Sequence, residues 1–224
     1  EAIKNVDVSG SVVYRYDNFD DSLSSGVGTA GDRVDRNRYK IGLNLSSKVN
    51  DYVKFNSRFI VGDSGNSYSW ATTDAQEGGG DEAASVSLSQ AYFGFTAIPN
   101  TVVNIGKQGL TTPYTVAVDI NGNEQNGTGI LALSTFGPIT AGAGYFNNTN
   151  LDASTELNAG LGLNTNPVVG LDGAADMYVA TVQGDLDFVK LEAWYAGLQE
   201  TFNTYTLAAT STLDLAENAK LGLE

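Results

Sequence analysis

The chain has 224 residues, a formal net charge of -14, no cysteine and no histidine. Without cysteine there are no disulfides, thiolate nucleophiles or thiolate zinc sites, and without histidine the commonest general base and metal ligand is absent. The acidic balance argues against a nucleic-acid partner, and no run of about 18 apolar residues is present to form a transmembrane helix.

Enzyme motifs are also absent. The sequence contains no phosphate-binding loop, no dinucleotide-binding fingerprint after a strand and no nucleophile elbow. We therefore predict that the chain is not an enzyme, and we assign it no catalytic residue.

Segments of about ten residues in which apolar and polar side chains alternate predict β-strands along the whole chain. The clearest example is the pair of segments at 36–48 and 53–62. Strands of this length can cross a bilayer at a tilt. In chain order the predicted strands cover about residues 6–17, 36–48, 53–62, 85–97, 101–108, 128–135, 139–147, 175–184, 188–198 and 203–213, with an eleventh beginning near 219.

The predicted connections alternate between short turns and longer polar loops. Outer-membrane β-barrels have this alternation, whereas the connection lengths of a soluble sandwich follow no such rule. We therefore predict an all-β fold, a transmembrane antiparallel β-barrel of the porin type, as a single domain over residues 1–224. The short turns lie at 49–52, 98–100, 136–138, 184–187 and near 214–218, and the longer connections at 18–35, 63–84, 109–127, 148–174 and 199–202.

The charges assign the two faces of the predicted strands. A charged side chain on the lipid face at mid-depth would cost about 2–4 kcal/mol, so charged positions must face the lumen. By the same parity, Val189 and Leu191 face lipid, while Lys190, Glu192 and Trp194 face the lumen. Strands 128–135 and 139–147 carry small residues on both faces and stay unassigned. The predicted pore-lining basic residues are Arg15, Arg38, Lys40, Lys54, Arg58 and Lys107.

The basic residues are concentrated at one end of the chain: nine of the twelve lie within the first 58 positions. They predict a basic wall built from the first three strands. The segment 109–127 carries Asp119 and Glu124. If this segment folds into the lumen, its carboxylates face the basic wall, and the opposed charges set up a transverse field. The alternative is that both are solvated loop charges.

Two parts of the sequence carry a family resemblance. Residues 1–10, followed by Tyr14-Arg15-Tyr16-Asp17, resemble the mature N-terminus of the Campylobacter-type major outer membrane porins. The segments at 106–108 and 127–129 are similar to the borders of that family's constriction loop. The resemblance implies a trimeric general-diffusion porin of about 18 strands, with 109–127 folded inward as the eyelet. It also implies an acidic eyelet residue at Asp119, with calcium as a candidate ligand there.

The last residues bear on the extent of the barrel. The chain ends at 221–224 inside a strand-like segment. Ten or eleven strands are fewer than the 16–18 expected, and bacterial single-chain barrels have an even number. We therefore predict that the chain is the N-terminal part of a longer barrel.

The favoured hypothesis is a passive pore in the outer membrane of a Gram-negative bacterium. Ions and small hydrophilic solutes would cross through a charged eyelet, with lipid, lipopolysaccharide and two further copies of the chain as partners and no cofactor other than the candidate calcium. A second hypothesis is a surface barrel or adhesin that acts through its long loops. A third is a soluble extracellular β-protein.

Overall fold

The structure, a computed structural model, describes residues 5–20, 33–72, 84–162, 170–216 and 219–223. This part of the chain forms twelve strands: β1 (Val6–Asp20), β2 (Arg33–Lys48), β3 (Val53–Gly62), β4 (Ala71–Thr72), β5 (Ser85–Phe95), β6 (Thr101–Gly109), β7 (Asn126–Phe136), β8 (Ile139–Thr149), β9 (Met177–Leu186), β10 (Val189–Leu198), β11 (Phe202–Ala216) and β12 (Ala219–Leu223). A 3-10 turn (Leu151–Ala153) and a short helix, α1 (Thr155–Gly160), lie between β8 and β9.

The strands form one antiparallel sheet in which neighbours in sequence are neighbours in space. The order is β1-β2-β3-β5-β6-β7-β8-β9-β10-β11-β12, and β4 pairs with β2 beside Arg38 and Tyr39. The described strands make an open, partial barrel. This arrangement confirms the predicted antiparallel barrel sheet, and the predicted eleventh strand is β12.

Apart from 199–201, which is as short as a turn, the described connections alternate in length as predicted. Short turns at 49–52, 96–100, 137–138 and 187–188 lie at one end of the sheet, and the segments 110–125 and 199–201 and the described parts of 150–176 lie at the other. We call the second end the outer end. The predicted connections at 18–35, 63–84, 148–174 and 214–218 fall partly outside the described residues.

Several boundaries differ from the sequence-based ones. β1 and β2 extend further toward the outer end because they pair along their full lengths, from Val6 with Ser47 to Asp20 with Arg33. β4 was not predicted, since two residues are too few to carry an alternating pattern. α1 was not predicted either, although Ser154 accepts a hydrogen bond from the Leu157 N–H as its N-cap and Glu156 lies in its first turn.

One face of the sheet is strongly apolar and exposed. Val12 is 71% exposed, Tyr14 65% and Leu207 84%. Phe136 and Phe188 are exposed beside two of the short turns, where aromatic girdles lie in membrane barrels. A contiguous apolar surface of this kind is what a membrane strand presents to lipid, and we call it the lipid face.

The buried apolar core lies on the opposite, inner face, near the outer end. Apolar side chains of β8, β9 and β10 pack there against residues of the connecting segments: Leu110, Phe146, Leu151, Leu171, Met177, Val179, Ala196 and Leu198. The core therefore joins the sheet to the chain that folds over it. Within the described residues, no helix has the length and apolar character needed to cross a membrane.

Candidate functional site

Residues 110–125, which connect β6 to β7, fold over the inner face of the sheet; we call them the inner loop. The base of the loop is closed by backbone hydrogen bonds, from the Leu110 N–H to the Gln125 carbonyl (2.9 Å) and from the Gln125 N–H to the Val116 carbonyl (2.9 Å). The Gln125 side chain also accepts the Val116 N–H at 2.6 Å. The loop thus has a closed shape of its own.

A buried ion pair fixes one end of the inner loop to β3. The Arg58 guanidinium donates through Nε to Glu124 Oε2 (3.0 Å) and through Nη2 to Glu124 Oε1 (2.7 Å). The side chains are 3% and 0% exposed. Bidentate pairs of this kind are among the strongest hydrogen-bonded contacts in proteins. Breaking a buried pair by removing one partner typically costs about 3–5 kcal/mol, because the other charge is left uncompensated.

Lys40 of β2 joins the same cluster. Its ammonium lies 3.3 Å from Glu124 Oε1 and donates to the carbonyls of Asp119 and Gly122, the second at 2.8 Å. We call Lys40, Arg58 and Glu124 the buried triad. Burying two cations with one anion away from water is unfavourable unless each charged group has hydrogen-bond partners. The loop carbonyls supply these acceptors for the Lys40 ammonium. The triad therefore binds the inner loop to the wall through side-chain and backbone groups together.

Gly42 leaves the space that Arg58 occupies. A Cβ atom at this position would lie 2.5–2.8 Å from three atoms of the Arg58 guanidinium. Arg58 Nη1 also donates to Asn44 Oδ1 at 2.9 Å, so β2 holds the guanidinium from beside the loop. The inner face of β2 therefore accommodates the Arg58 side chain over Gly42, with Lys40 and Asn44 on either side of the glycine in the strand.

A second basic group lies nearer the outer end of β1 and β2. Arg38 donates to the Asp17 carboxylate, and Arg15 Nε donates to the same carboxylate at 2.6 Å. Arg38 also lies 5.8 Å from the centre of the Trp70 ring, and the Trp70 indole donates to the Asn121 carbonyl at 3.0 Å. Arg15 is about half exposed and Arg38 about a quarter. Trp70 therefore connects this group to the inner loop.

The other limb of the inner loop contacts the far side of the sheet. The Tyr114 hydroxyl forms hydrogen bonds with Thr206 and with Thr204, both on β11. Gln90 on β5 donates to the Ala117 carbonyl at 3.2 Å. Because the same loop reaches β2, β3, β5 and β11, the sheet curves around it and the loop spans the concave side.

The predicted site residues thus separate into groups. Lys40, Arg58 and Glu124 are brought together and buried. Lys54 lies apart and exposed, with Asp7 3.9 Å away. Lys107 is aligned with Ala91 and Thr128 in the ladder and donates to the Tyr68 hydroxyl, so it is not brought to the triad.

Asp119 is half-buried at the turn of the inner loop, where its carboxylate accepts the Asn121 N–H at 2.8 Å. It lines a small cavity together with Glu156 of α1. Calcium takes about six to eight oxygen ligands. Among the described residues there is no group of three or more acidic, histidine or cysteine side chains that could hold a metal. Calcium at Asp119 stays a prediction.

Sequence reasoning missed several residues that hold the inner loop. Asn150 donates to the Asn66 and Glu124 carbonyls, each at 2.7 Å, and accepts the Asn126 N–H at 2.7 Å. Nothing in the sequence distinguishes Asn150 from other loop asparagines. The role of Trp70 could have been predicted, because a tryptophan inside a polar predicted loop indicates a packed contact. The sequence gives no such signal for Gln125.

These features define a class of protein. An antiparallel sheet with an apolar lipid face, a charged concave face and a loop folded over that face is part of an outer-membrane barrel of the porin type. The model of the Campylobacter major outer membrane protein family matches residues 1–224. The chain belongs to this family, which places it in the outer membrane of a Gram-negative bacterium. No curated protein sequence matches the chain.

Solved structures support the same fold. The chain is similar to the Pseudomonas aeruginosa protein OccK9 (OpdG), with a TM-score of 0.67 and 13% identity over 99% of this chain and 57% of that one. It is similar to P. aeruginosa OpdQ, with a TM-score of 0.66 and 15% identity over 98% and 56%. It is also similar to a BenF-like porin from Pseudomonas fluorescens Pf-5, with a TM-score of 0.63 and 11% identity over 96% of this chain and 55% of that one. The chain spans about half the length of these proteins.

Proposed function

We propose that the protein is a passive pore in which the inner loop narrows the lumen and only solute size, polarity and charge decide passage. The observation that carries this proposal is the attachment of the inner loop to opposite parts of the concave face, at Glu124 to β3 and at Tyr114 to β11. A loop fixed at both limbs keeps a constant opening. No covalent chemistry is required, and we infer a non-enzymatic channel.

The charges that meet the solute are the exposed ones. Glu124 neutralises much of the buried triad, so the triad acts on the loop more than on passing ions. Arg15 and Arg38 share the one carboxylate of Asp17, which leaves excess positive charge, and so a positive field, on the β1–β2 wall, whereas Lys54 has Asp7 3.9 Å away. Asp119 is the acidic group of the loop that would oppose this field. Such a field orders dipolar solutes and biases ion passage.

We further propose that the whole protein assembles as a homotrimer in contact with lipid and lipopolysaccharide. The loops on which an adhesive role would depend fall largely outside the described residues, at 21–32, 73–83 and 163–169. No described contact favours that role over the pore.

Single-channel recording tests the proposal. The full-length protein, extracted from outer membranes in detergent, is added to a planar bilayer under a salt gradient. We expect discrete conductance steps, in groups of three for a trimer, with a reversal potential that measures selectivity. A folded, inserted protein that never conducts would refute the pore.

A further inference from the structure

A second feature of the concave face is a cavity of about 870 Å³ beneath the first limb of the inner loop. Its walls are β5 to β11, and its roof includes Leu110, Pro113 and Val118 of the inner loop. The charged wall of β1–β3 takes no part in it. Gln90 and Thr206 of its lining also bind the loop, but no described contact joins Leu133, Lys190 or Glu192 to the loop, so this part of the lining needs a separate explanation.

The lining changes character along the strands. Nearest the loop it is apolar, with Leu131, Phe146 and Val179. Two residues further from the loop, the register aligns a row that mixes apolar, aromatic and hydroxyl groups across five strands: Leu133, Gly142, Thr181, Trp194 and Thr206. The next row is polar and aligns Gln183 with Glu192. The cavity therefore runs from apolar to charged.

Gly142 makes the middle row continuous. A Cβ atom there would lie 2.4 Å from Leu133 Cδ2 and 3.4 Å from Thr181 Cγ2. Leu133 therefore extends over the glycine to reach the neighbourhood of Thr181, and Trp194 follows on the next strand. Together these side chains offer an apolar surface broken only by hydroxyl groups.

A dipolar group lies next to this surface. Lys190 Nζ is 2.5 Å from Glu192 Oε1, and the Trp194 indole donates to Glu192 Oε2 at 3.3 Å. The Lys190 side chain is 52% exposed and that of Glu192 24%. An ammonium has three donors and a carboxylate about four acceptor positions, so each group can bind a further partner. The pair offers a positive and a negative site side by side, and Asp185 lies opposite Lys190 in the ladder as a further carboxylate.

We propose that this cavity binds zwitterionic amino acids that carry an apolar side chain. The apolar side chain packs on Leu133 and Trp194, the α-ammonium faces Glu192 and the α-carboxylate faces Lys190. Two residues along a strand cover about 7 Å, which matches the length of a small amino acid from its charged end to its side chain. The inference rests on the proposed pore, since the solute must reach the cavity from the lumen.

Four probes test the inference in the full-length protein: L-leucine, leucinamide and 4-methylpentanoate, which share one apolar side chain, and glycine, which has none. The readout is quenching or a shift of tryptophan emission, and the part lost in Trp194→Phe is assigned to the cavity. We expect saturable binding of leucine, and at least about tenfold weaker binding of glycine because no apolar side chain is buried.

Single-charge variants sharpen the test. Lys190→Gln leaves Glu192 alone and should shift the preference from leucine to leucinamide. Glu192→Gln leaves Lys190 alone and should shift the preference from leucine to 4-methylpentanoate. We expect each variant to change the ratio of the two affinities by about fivefold or more, because a charged hydrogen-bond partner is lost. The control is Lys48→Gln, which also removes one paired lysine. Lys48 lies 2.7 Å from Asp51 in the exposed turn after β2, and this pairing holds the pKa of Asp51 below its ordinary value. Lys48→Gln should leave leucine binding unchanged.

The outcomes separate the two proposals. Two results would overturn the amino-acid site and leave the pore intact. One is a conducting protein that gives no saturable response to leucine. The other is a set of variants that change the affinity without changing the charge preference. Leucine binding by a folded protein that does not conduct would instead support the site and refute the pore. Interruptions of single-channel current by leucine, absent with glycine, give a second readout if a variant folds poorly.

Discussion

The two sides of the concave face hold the inner loop in opposite ways. The β1–β3 side uses buried charge, with Arg58 and Lys40 on Glu124. The β7–β11 side uses apolar packing around Leu110 and Phe146, plus the Tyr114 hydroxyl on β11. A charge contact is demanding in geometry, whereas apolar packing tolerates small shifts. The charged side therefore fixes the position of the loop, and the apolar side leaves room for a cavity.

The same contrast appears in the exposed parts of the two sides. Along β1 and β2, Arg15 and Arg38 share the single carboxylate of Asp17, so positive charge is in excess there. Along β10 each charge is balanced within the strand, as with Lys190 and Glu192. In the proposed pore, the first side would act on solutes through a field and the second through local contacts.

The largest effect is expected from Arg58→Glu. The change replaces the bidentate pair by repulsion between two buried carboxylates, and breaking such a pair costs about 3–5 kcal/mol. The inner loop should leave the β3 wall, so that unitary conductance rises and the reversal potential shifts toward cation selectivity. Planar-bilayer recording measures both. Ser57→Thr is the matched control, because Ser57, which is 8% exposed, has its side chain on the opposite face of the strand from Arg58, and equal effects from both variants would contradict the assignment of faces.

Gly42→Ala should give an intermediate effect. The new methyl group meets the Arg58 guanidinium within 2.5–2.8 Å, which should cost about 1–3 kcal/mol of overpacking without removing any charge. We expect a smaller rise in conductance than with Arg58→Glu and a lower thermal midpoint of unfolding. Gly184→Ala on β9 is the control, because its nearest neighbour would be 4.0 Å away. A Gly42→Ala protein identical to the parent in both measurements would contradict the close packing of Arg58 over Gly42.

The smallest effect is expected from Tyr114→Phe on the other side. The change removes the hydrogen bonds to Thr204 and Thr206 and keeps the ring, at a cost of about 1 kcal/mol. The loop should stay seated through the buried triad, so mean conductance should hardly change while current noise increases. If Tyr114→Phe raised conductance more than Arg58→Glu, the roles of the two sides would be reversed.

Most of the fold could be predicted from the sequence. Alternating side chains and alternating connection lengths gave the strands, the faces and the short turns. The inner faces of β7 and β8 could not be assigned, because Leu131 and Leu133 point toward the concave side, where a barrel strand usually carries polar groups. These leucines pack under the inner loop, and no local pattern reveals a contact with a distant segment.

The candidate site could be predicted only as a set of residue types. Parity identified Lys40 and Arg58 as inward-facing, and Glu124 was recognised as a loop acid. The sequence suggested opposed charges separated by the lumen, whereas the structure joins Arg58 to Glu124 directly. The distance between a loop and a wall is a tertiary property. The supporting contacts of Asn44 and Asn150 are tertiary for the same reason.

The buried triad also bears on how the barrel forms. Arg58 and Glu124 are 66 residues apart in sequence, and Lys40 and Gly122 are 82 apart, so both contacts close long segments of the chain. Closing such long segments is slow. A slip of one residue between β2 and β3 would turn Arg58 toward lipid and leave Glu124 without its bidentate partner, with Lys40 still beside it. The triad therefore favours the correct register during assembly, because a misaligned sheet cannot seat its own loop.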